Sequence, residues 1–187
     1  MQETTDHQLM LSVRTGDIDK LGPLFERYHK QLYIFFLRQT GDSQTSEDLV
    51  QDVFYRILKY RDTYRGTSKF MTWMFSIAHN SKNDHYRKKK QSVEPIDDGK
   101  EFMTGEADPE QQSIQKNNIE LLKTALADLQ DEKREALILS RFHNMKYDEI
   151  AEVMGCKVGT IKARIHWAIK DISMMFKKAM VNENGKL

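Results

Sequence analysis

The sequence predicts an all-α protein: two small helical domains joined by a flexible acidic linker. Three observations carry that prediction. Apolar residues recur at steps of three and four through most of the chain, and strand-like alternation never extends beyond a few residues. The stretch from Gln91 to about Glu110 has no apolar period, two prolines, two glycines and many acids, which reads as a linker. Charge is also segregated. Lys82, Arg87, Lys88, Lys89 and Lys90 against Asp84 give +4 between His79 and Lys90. Glu94, Asp97, Asp98, Glu101, Glu106, Asp108 and Glu110 against Lys100 give −6 between Gln91 and Gln112. Lys157, Lys162, Arg164, Lys170, Lys177 and Lys178 against Asp171 give +5 between Lys157 and Lys178. A formal net charge of +1 therefore conceals two basic segments suited to phosphate.

The elements follow in order. Leu21, Leu24, Phe25, Tyr28, Leu32, Phe35 and Phe36 mark a helix, with Pro23 in its first turn after Gly22. Gly41 and Asp42 break it. A second helix starts near Ser46, with Leu49, Val50, Val53, Phe54, Ile57 and Leu58 as its stripe. Acidic residues near its start favour the helix dipole. Arg61 to Ser68 reads as a loop. A third helix starts near Lys69; Phe70, Trp73, Met74, Ile77 and Ala78 form its apolar face, and HNSKNDHYRKKK continues it as a basic extension. Beyond the linker, Ile114, Ile119, Leu122, Leu126 and Leu129 mark one helix, Ala136 to Leu139 a second, and Tyr147 to Met154 a short third. After the turn Gly155-Cys156-Lys157, a last helix runs from about Val158 to Ala179.

Several classes are excluded. A single cysteine, Cys156, forms no internal disulfide, so a disulfide-stapled secreted fold is out. MQETTDHQLM lacks a basic segment followed by a long apolar run, and no window of about eighteen apolar residues occurs, so a soluble, cytoplasmic protein without membrane insertion is expected. His79, Asp84 and His85 come nearest to a ligand set, but no HExxH, paired-cysteine or acidic-cluster spacing is present. No metal, cofactor or catalytic residue is expected, and the chain is read as a non-enzyme.

Two helices joined by a short glycine-containing turn make a helix-turn-helix. Ile150, Ala151 and Met154 face inward from the first helix; Val158, Ile161, Ile165, Ile169, Ile172 and Phe176 form the stripe of the second. Its opposite face carries Thr160, Ala163, Arg164 and Trp167, flanked by Lys157, Lys162, His166 and Lys170. Short side chains let a helix approach base edges, arginine bonds guanine bidentately, and flanking lysines bind phosphate. Periodicity alone is equally consistent with a solvated basic face. The spacing of Ala151, Gly155 and Ile161 favours DNA.

These residues carry a resemblance. LQDEKREALILSRFHNMKYDEIAEVMGCKVGTIKARIHWA resembles region 4 of bacterial sigma-70-family factors, specifically the extracytoplasmic-function (ECF) group. FERYHKQLYIFFLRQTGD, SEDLVQDVFYRILK and YRGTSKFMTWMFSIAHNSKNDHYRKKK resemble region 2 of the same group. The resemblance covers roughly residues 9–90 and 112–178. It implies a region 2 bundle over 1–90, a linker over 91–111 and region 4 over 112–187.

The resemblance also implies a function: promoter-specific initiation with core RNA polymerase, through promoter DNA, under a regulating anti-sigma factor. SEDLVQDVF resembles the segment that docks on the clamp of the largest polymerase subunit, making Glu47, Asp48, Gln51, Asp52 and Phe54 contacts or their support. The YRGTSKF to RKKK stretch resembles the segment that melts and reads the minus-ten element. There Tyr64, His79, Asn80, Lys82, Asn83, Asp84, Tyr86, Arg87 and Lys88 are the candidates, since unpaired bases stack on aromatics and are read on their edges. Phe70 and Trp73 lie on the apolar stripe and are read as core. CKVGTIKARIHWA resembles the minus-thirty-five reader, with Lys157, Thr160, Lys162, Ala163, Arg164, His166 and Trp167 as contacts. The sequence departs from the family in three respects: Lys146 replaces a common serine cap, Trp167 replaces a common arginine, and Gly22-Pro23 interrupts a usually continuous helix. The alternative is a free-standing helix-turn-helix regulator, which would need a dimerisation or ligand domain.

Overall fold

The computed structural model describes residues 4–91 and 121–184. Apart from Gln91, the expected linker lies outside the described residues. Among the described residues every regular element is helical.

Helix α1, Asp6–Arg14, is absent from the sequence expectation. Its start is a reciprocal cap: the Gln8 amide donates to Thr5 Oγ1 at 3.3 Å, and the Thr5 amide donates to Gln8 Oε1 at 3.0 Å. Leu9, Met10 and Val13 are buried. A 3₁₀ turn, Ile18–Lys20, leads into α2, Leu21–Thr40. Pro23 falls within the first turn of α2, where its missing N–H costs no helical hydrogen bond. Helix α2 ends at Gly41, whose φ of 72° is the left-handed conformation that glycine adopts most cheaply.

Helix α3 spans Ser43–Lys59, three residues earlier than the apolar stripe indicates. The reason is Asp42: its Oδ2 accepts from the Thr45 amide at 2.8 Å, a polar cap outside the hydrophobic pattern. Another 3₁₀ turn, Arg61–Thr63, and a loop lead to α4, Phe70–Gln91, which continues into the basic extension as expected.

Residues 121–127 form α5. Helices α6 (Asp131–Phe142), α7 (Tyr147–Val153) and α8 (Val158–Asn184) complete the second half. Gly155, at φ 60°, makes the turn between α7 and α8.

In the first half Leu24, Leu32, Phe35, Phe36, Val53, Ile57, Met74 and Phe75 are fully buried between α2, α3 and α4. In the second half Ile138, Leu139, Ile150, Ile161 and Ala168 hold α6, α7 and α8 together. The halves also pack on each other, α4 against α7 and α2 against α6, so one apolar core runs through both. His143 of the second half sits against Phe75 and Phe35 of the first, with ring centroids 4.7 and 5.9 Å apart. Arg38 covers the Phe142 ring at 3.7 Å, a cation–π contact across the same seam.

Candidate nucleic-acid interface

The second-half surface is built locally. Ile161, Ile165 and Ala168 bury one side of α8, so residues half a turn away must face outward. Lys157, Thr160, Lys162, Ala163, His166 and Trp167 are all exposed. Trp167 is 47% exposed, with Lys170 Nζ 4.7 Å over its ring and His166 edge-on at 5.6 Å. Arg164 is half-buried and donates to Cys156 Sγ at 3.6 Å, which ties it to the preceding turn. The start of α7 shows how a non-capping residue is accommodated. Lys146 offers no acceptor, yet its amide donates to Glu149 Oε2 at 2.8 Å. The result is an outward-facing strip of donors, small residues and an indole rimmed by lysines.

The first-half surface differs. On α4, Asn80, Asn83, Tyr86, Arg87 and Lys88 are exposed, and His79 and Asp84 are half-buried. Lys82, expected to contact DNA, is 0% exposed. Its ammonium donates to Glu135 Oε2 at 2.6 Å and Asp131 Oδ2 at 2.7 Å. Burial pushes this ammonium toward neutrality, but the two carboxylates outweigh it and hold its pKa above the usual lysine value. Burial likewise opposes ionisation of Glu135, and the His79 hydrogen bond with the Lys82 charge reverses this, leaving its pKa below the ordinary value. His79 Nδ1 lies 2.8 Å from Glu135 Oε1, and its other nitrogen 2.9 Å from Asn83 Nδ2.

Tyr64 corrects a second expectation. It is 1% exposed, packed against Trp73 and Phe70, with its hydroxyl 3.1 Å from His7 Nδ1. A ring so enclosed is unavailable to a base in this conformation. Helix α1 encloses it, with Arg14 donating to the Tyr64 carbonyl at 2.9 Å. Gly66 fits beneath His7 because a Cβ there would meet the imidazole at 2.2 Å. Trp73, read as core, is half-buried, and Phe70 fully so.

On α3, Glu47, Asp48 and Gln51 are exposed. Phe54 is buried against Phe25, so of its two expected roles only support is open to it. Asp52 is a brace: it pairs with Arg56 Nε at 2.7 Å and accepts from the Ser81 hydroxyl of α4. Arg56 also reaches Asp84 at 2.8 Å, and Asp84 pairs with Arg87 at 2.9 Å. Hydrogen bonding from Arg56 holds the Asp84 carboxyl below its ordinary pKa, against a smaller effect of burial. Arg56 and Ser81 thus join the two expected surfaces. Sequence reading misses both; the i, i+4 spacing of Asp52 and Arg56 was the available signal. His79 and Asp84 have separate protein partners, and no cluster suited to a metal occurs among the described residues.

The family "Sigma-70 region 2" matches residues 24–92, and "Sigma-70, region 4" matches residues 119–172. The chain is 33% identical over 144 residues to the ECF RNA polymerase sigma factor EcfG of Rhodopseudomonas palustris (strain TIE-1), covering 77% of this chain and 78% of that protein. It is 29% identical over 167 residues to the RNA polymerase sigma factor YlaC of Bacillus subtilis (strain 168), covering 88% and 96%. The structure of the sigma factor RpoE in complex with the anti-sigma factor NepR from Bartonella quintana is similar at a TM-score of 0.69 and 25% identity, covering 84% of this chain and 96% of that one. CnrH, solved with the cytosolic domain of CnrY, shares the fold at a TM-score of 0.68 and 22% identity, covering 92% and 97%.

Proposed function

The chain belongs to the sigma-70 family, in its ECF group, and from that membership we propose how its residues divide the work of promoter-specific initiation. Residues 112–187 act as region 4 and hold duplex DNA at the minus-thirty-five element through Lys157, Thr160, Lys162, Ala163, Arg164, His166 and Trp167. Residues 1–90 act as region 2. Asn80, Asn83, Tyr86, Arg87 and Lys88 capture unpaired bases of the minus-ten element, while Glu47, Asp48 and Gln51 dock on the polymerase clamp. Residues 91–111 link the two.

Captured bases stabilise the open promoter because they bind only after the strands part, which is a population shift by differential affinity. The chemistry of RNA synthesis belongs to the polymerase, and this chain works in the cytoplasm. No helix among the described residues is long and apolar enough to cross a membrane. The relative RpoE is held by NepR, and an anti-sigma protein is proposed as a partner here too. The observation that carries the reading is the exposed strip on α8, seven candidates on one helix and its preceding turn, in a chain that matches both regions in the family's order. A free-standing regulator is disfavoured because region 2 occupies the place of its dimerisation or ligand domain.

Run-off transcription from a randomised promoter library, with purified core polymerase, tests the proposal. Enrichment of a two-element promoter dependent on this chain is expected. Failure both to co-elute with core polymerase and to stimulate transcription would overturn it.

A further inference from the structure

The strip on α8 holds one side chain whose exposure the fold does not explain. Trp167 is 47% exposed, although burying an aromatic of this size is among the larger apolar gains open to a small domain. Its ring contacts come from its own helix. Lys170 Nζ lies 4.7 Å over the ring, and the His166 ring meets it edge-on at 5.6 Å. These neighbours flank the indole rather than cover it, and they restrict how far it swings.

Helical spacing places the indole in a row. Thr160, Ala163 and Trp167 recur at steps of three and four, and all of them are exposed. The row runs about 10 Å along the helix, close to the length of about three stacked base pairs. It presents a methyl, a second methyl and an aromatic ring. Ala163, one turn before Trp167, is too small to cover the indole. Arg164 borders the row, half-buried and tied to Cys156, and Lys157 and Lys170 are exposed alongside. The row is therefore apolar between cationic borders.

Base chemistry then selects a match. The indole has one N–H donor and no acceptor, set in an apolar ring. In the major groove guanine offers two acceptors, which suit a guanidinium fork, and the amino groups of cytosine and adenine meet no acceptor on an indole. Thymine offers an acceptor, O4, beside a C5 methyl, the apolar group of that groove.

We propose that Trp167 makes the element read by α8 selective for a thymine, with the C5 methyl seated against the indole beside Ala163 and O4 accepting from Nε1. This rests on the proposed duplex-reading role of α8. It assigns a base to a position where the family commonly has arginine, whose fork matches guanine instead.

The test uses the full-length chain with core polymerase and a duplex carrying the upstream element enriched from the randomised promoter library. Each thymine of that element, on either strand, is replaced in turn by deoxyuridine, which keeps every Watson–Crick bond and removes only the C5 methyl. At one position the affinity of the holoenzyme, measured by competition, should fall roughly fourfold, the worth of one methyl withdrawn from water. Trp167→Phe keeps an apolar ring and should keep that penalty. Trp167→Ala should bind thymine and deoxyuridine equally at that position. A parent indifferent to every deoxyuridine, or a penalty undiminished in Trp167→Ala, overturns the inference and leaves duplex reading by α8 standing. Initiation without any upstream sequence preference overturns the duplex-reading role itself, and this inference with it.

Discussion

The two candidate DNA-reading helices carry similar chemistry and differ in how their central cation is placed. On α8 every candidate except Arg164 faces solvent, and Arg164 is tied only to a turn eight residues away. On α4 the central cation is sealed beneath carboxylates 49 and 53 residues distant in sequence. The difference lies in what positions each side chain. A helix-turn-helix is closed by contacts within a few turns, so its outward face is fixed by the segment itself. The polar extension of α4 has no apolar stripe of its own, and its burial is decided by whatever packs on it.

The sharpest way to break this contrast is to remove one polar group at each surface. Glu135→Ala leaves the Lys82 ammonium buried with only the half-exposed Asp131, and uncompensated buried charges cost about 3–5 kcal/mol. Thr160→Ala removes an exposed hydroxyl and should move stability by less than about 0.5 kcal/mol. Urea titration with a domain-sensitive probe measures both. Similar small shifts for the two variants would show that the α4 face is as open as that of α8.

Acidification is expected to act on the seam and spare α8. Burial first, and the Arg38 charge second, lower the His143 pKa to about 4. The unfolded imidazole binds its proton near pH 6.5, so between 6.5 and 4 the unfolded state holds more protons and stability falls as pH falls. Above 6.5 the contribution is fully present. Between pH 7 and 5 the loss from His143 should be about 2 kcal/mol, and His143→Leu should remove that part of the slope, leaving the part due to His85, whose pKa burial also lowers. Glu135 acts in a lower window: its lowered pKa supports stability above the ordinary carboxylate range, and that support is lost as pH falls below it. A slope unchanged in His143→Leu would remove His143 from the account.

How much was legible follows from the same contrast. The α7–α8 turn and the exposed strip of α8 are readable because side-chain period and one glycine determine them. Of the expected stripe only Ile161 and Ile165 are buried, while Val158 and Ile169 face solvent because no other described helix packs on them. The continuation of α4 to Gln91 is readable because no breaker intervenes. Lys82 and Tyr64 are expected as free contacts and are buried because their partners are distant: Asp131 and Glu135 for Lys82, His7 for Tyr64; Ser81 leaves Asp52 the second of its two expected roles, support. Nothing in a periodicity marks such pairings. Helix α1 is different, since the Thr5 to Gln8 cap and the Leu9, Met10, Val13 spacing are local signals that mark it in the sequence.

DNA binding should separate the regions again, with a smaller effect. Arg164→Ala removes the strip's one guanidinium, and a good bidentate base contact discriminates by about 1–3 kcal/mol. Affinity for a minus-thirty-five duplex should fall roughly 5- to 150-fold by fluorescence anisotropy. Changing Asn80, Asn83 and Arg87 together to alanine should leave that duplex affinity intact and impair promoter opening by the holoenzyme, read by permanganate reactivity of unpaired thymines. Loss of duplex binding in the triple variant would merge the two surfaces into one.

The smallest expected effect probes whether the α7–α8 unit is as self-contained as its sequence suggests. Lys146 has the extended backbone of an N-cap, φ −72° and ψ 156°, and only half of a capping box, because its own side chain has nothing to accept with. Lys146→Ser supplies an oxygen for the Glu149 amide and completes the reciprocal pair. Capping of this kind is worth about 1 kcal/mol, equivalent to a rise in Tm of roughly 2–4 °C in a protein of this size. Lys146 lies outside the DNA-facing strip, so duplex affinity should stay unchanged while calorimetry reports the rise. A change in duplex affinity would mean that the start of α7 is coupled to the reading face of α8, and that the second surface too is held from a distance.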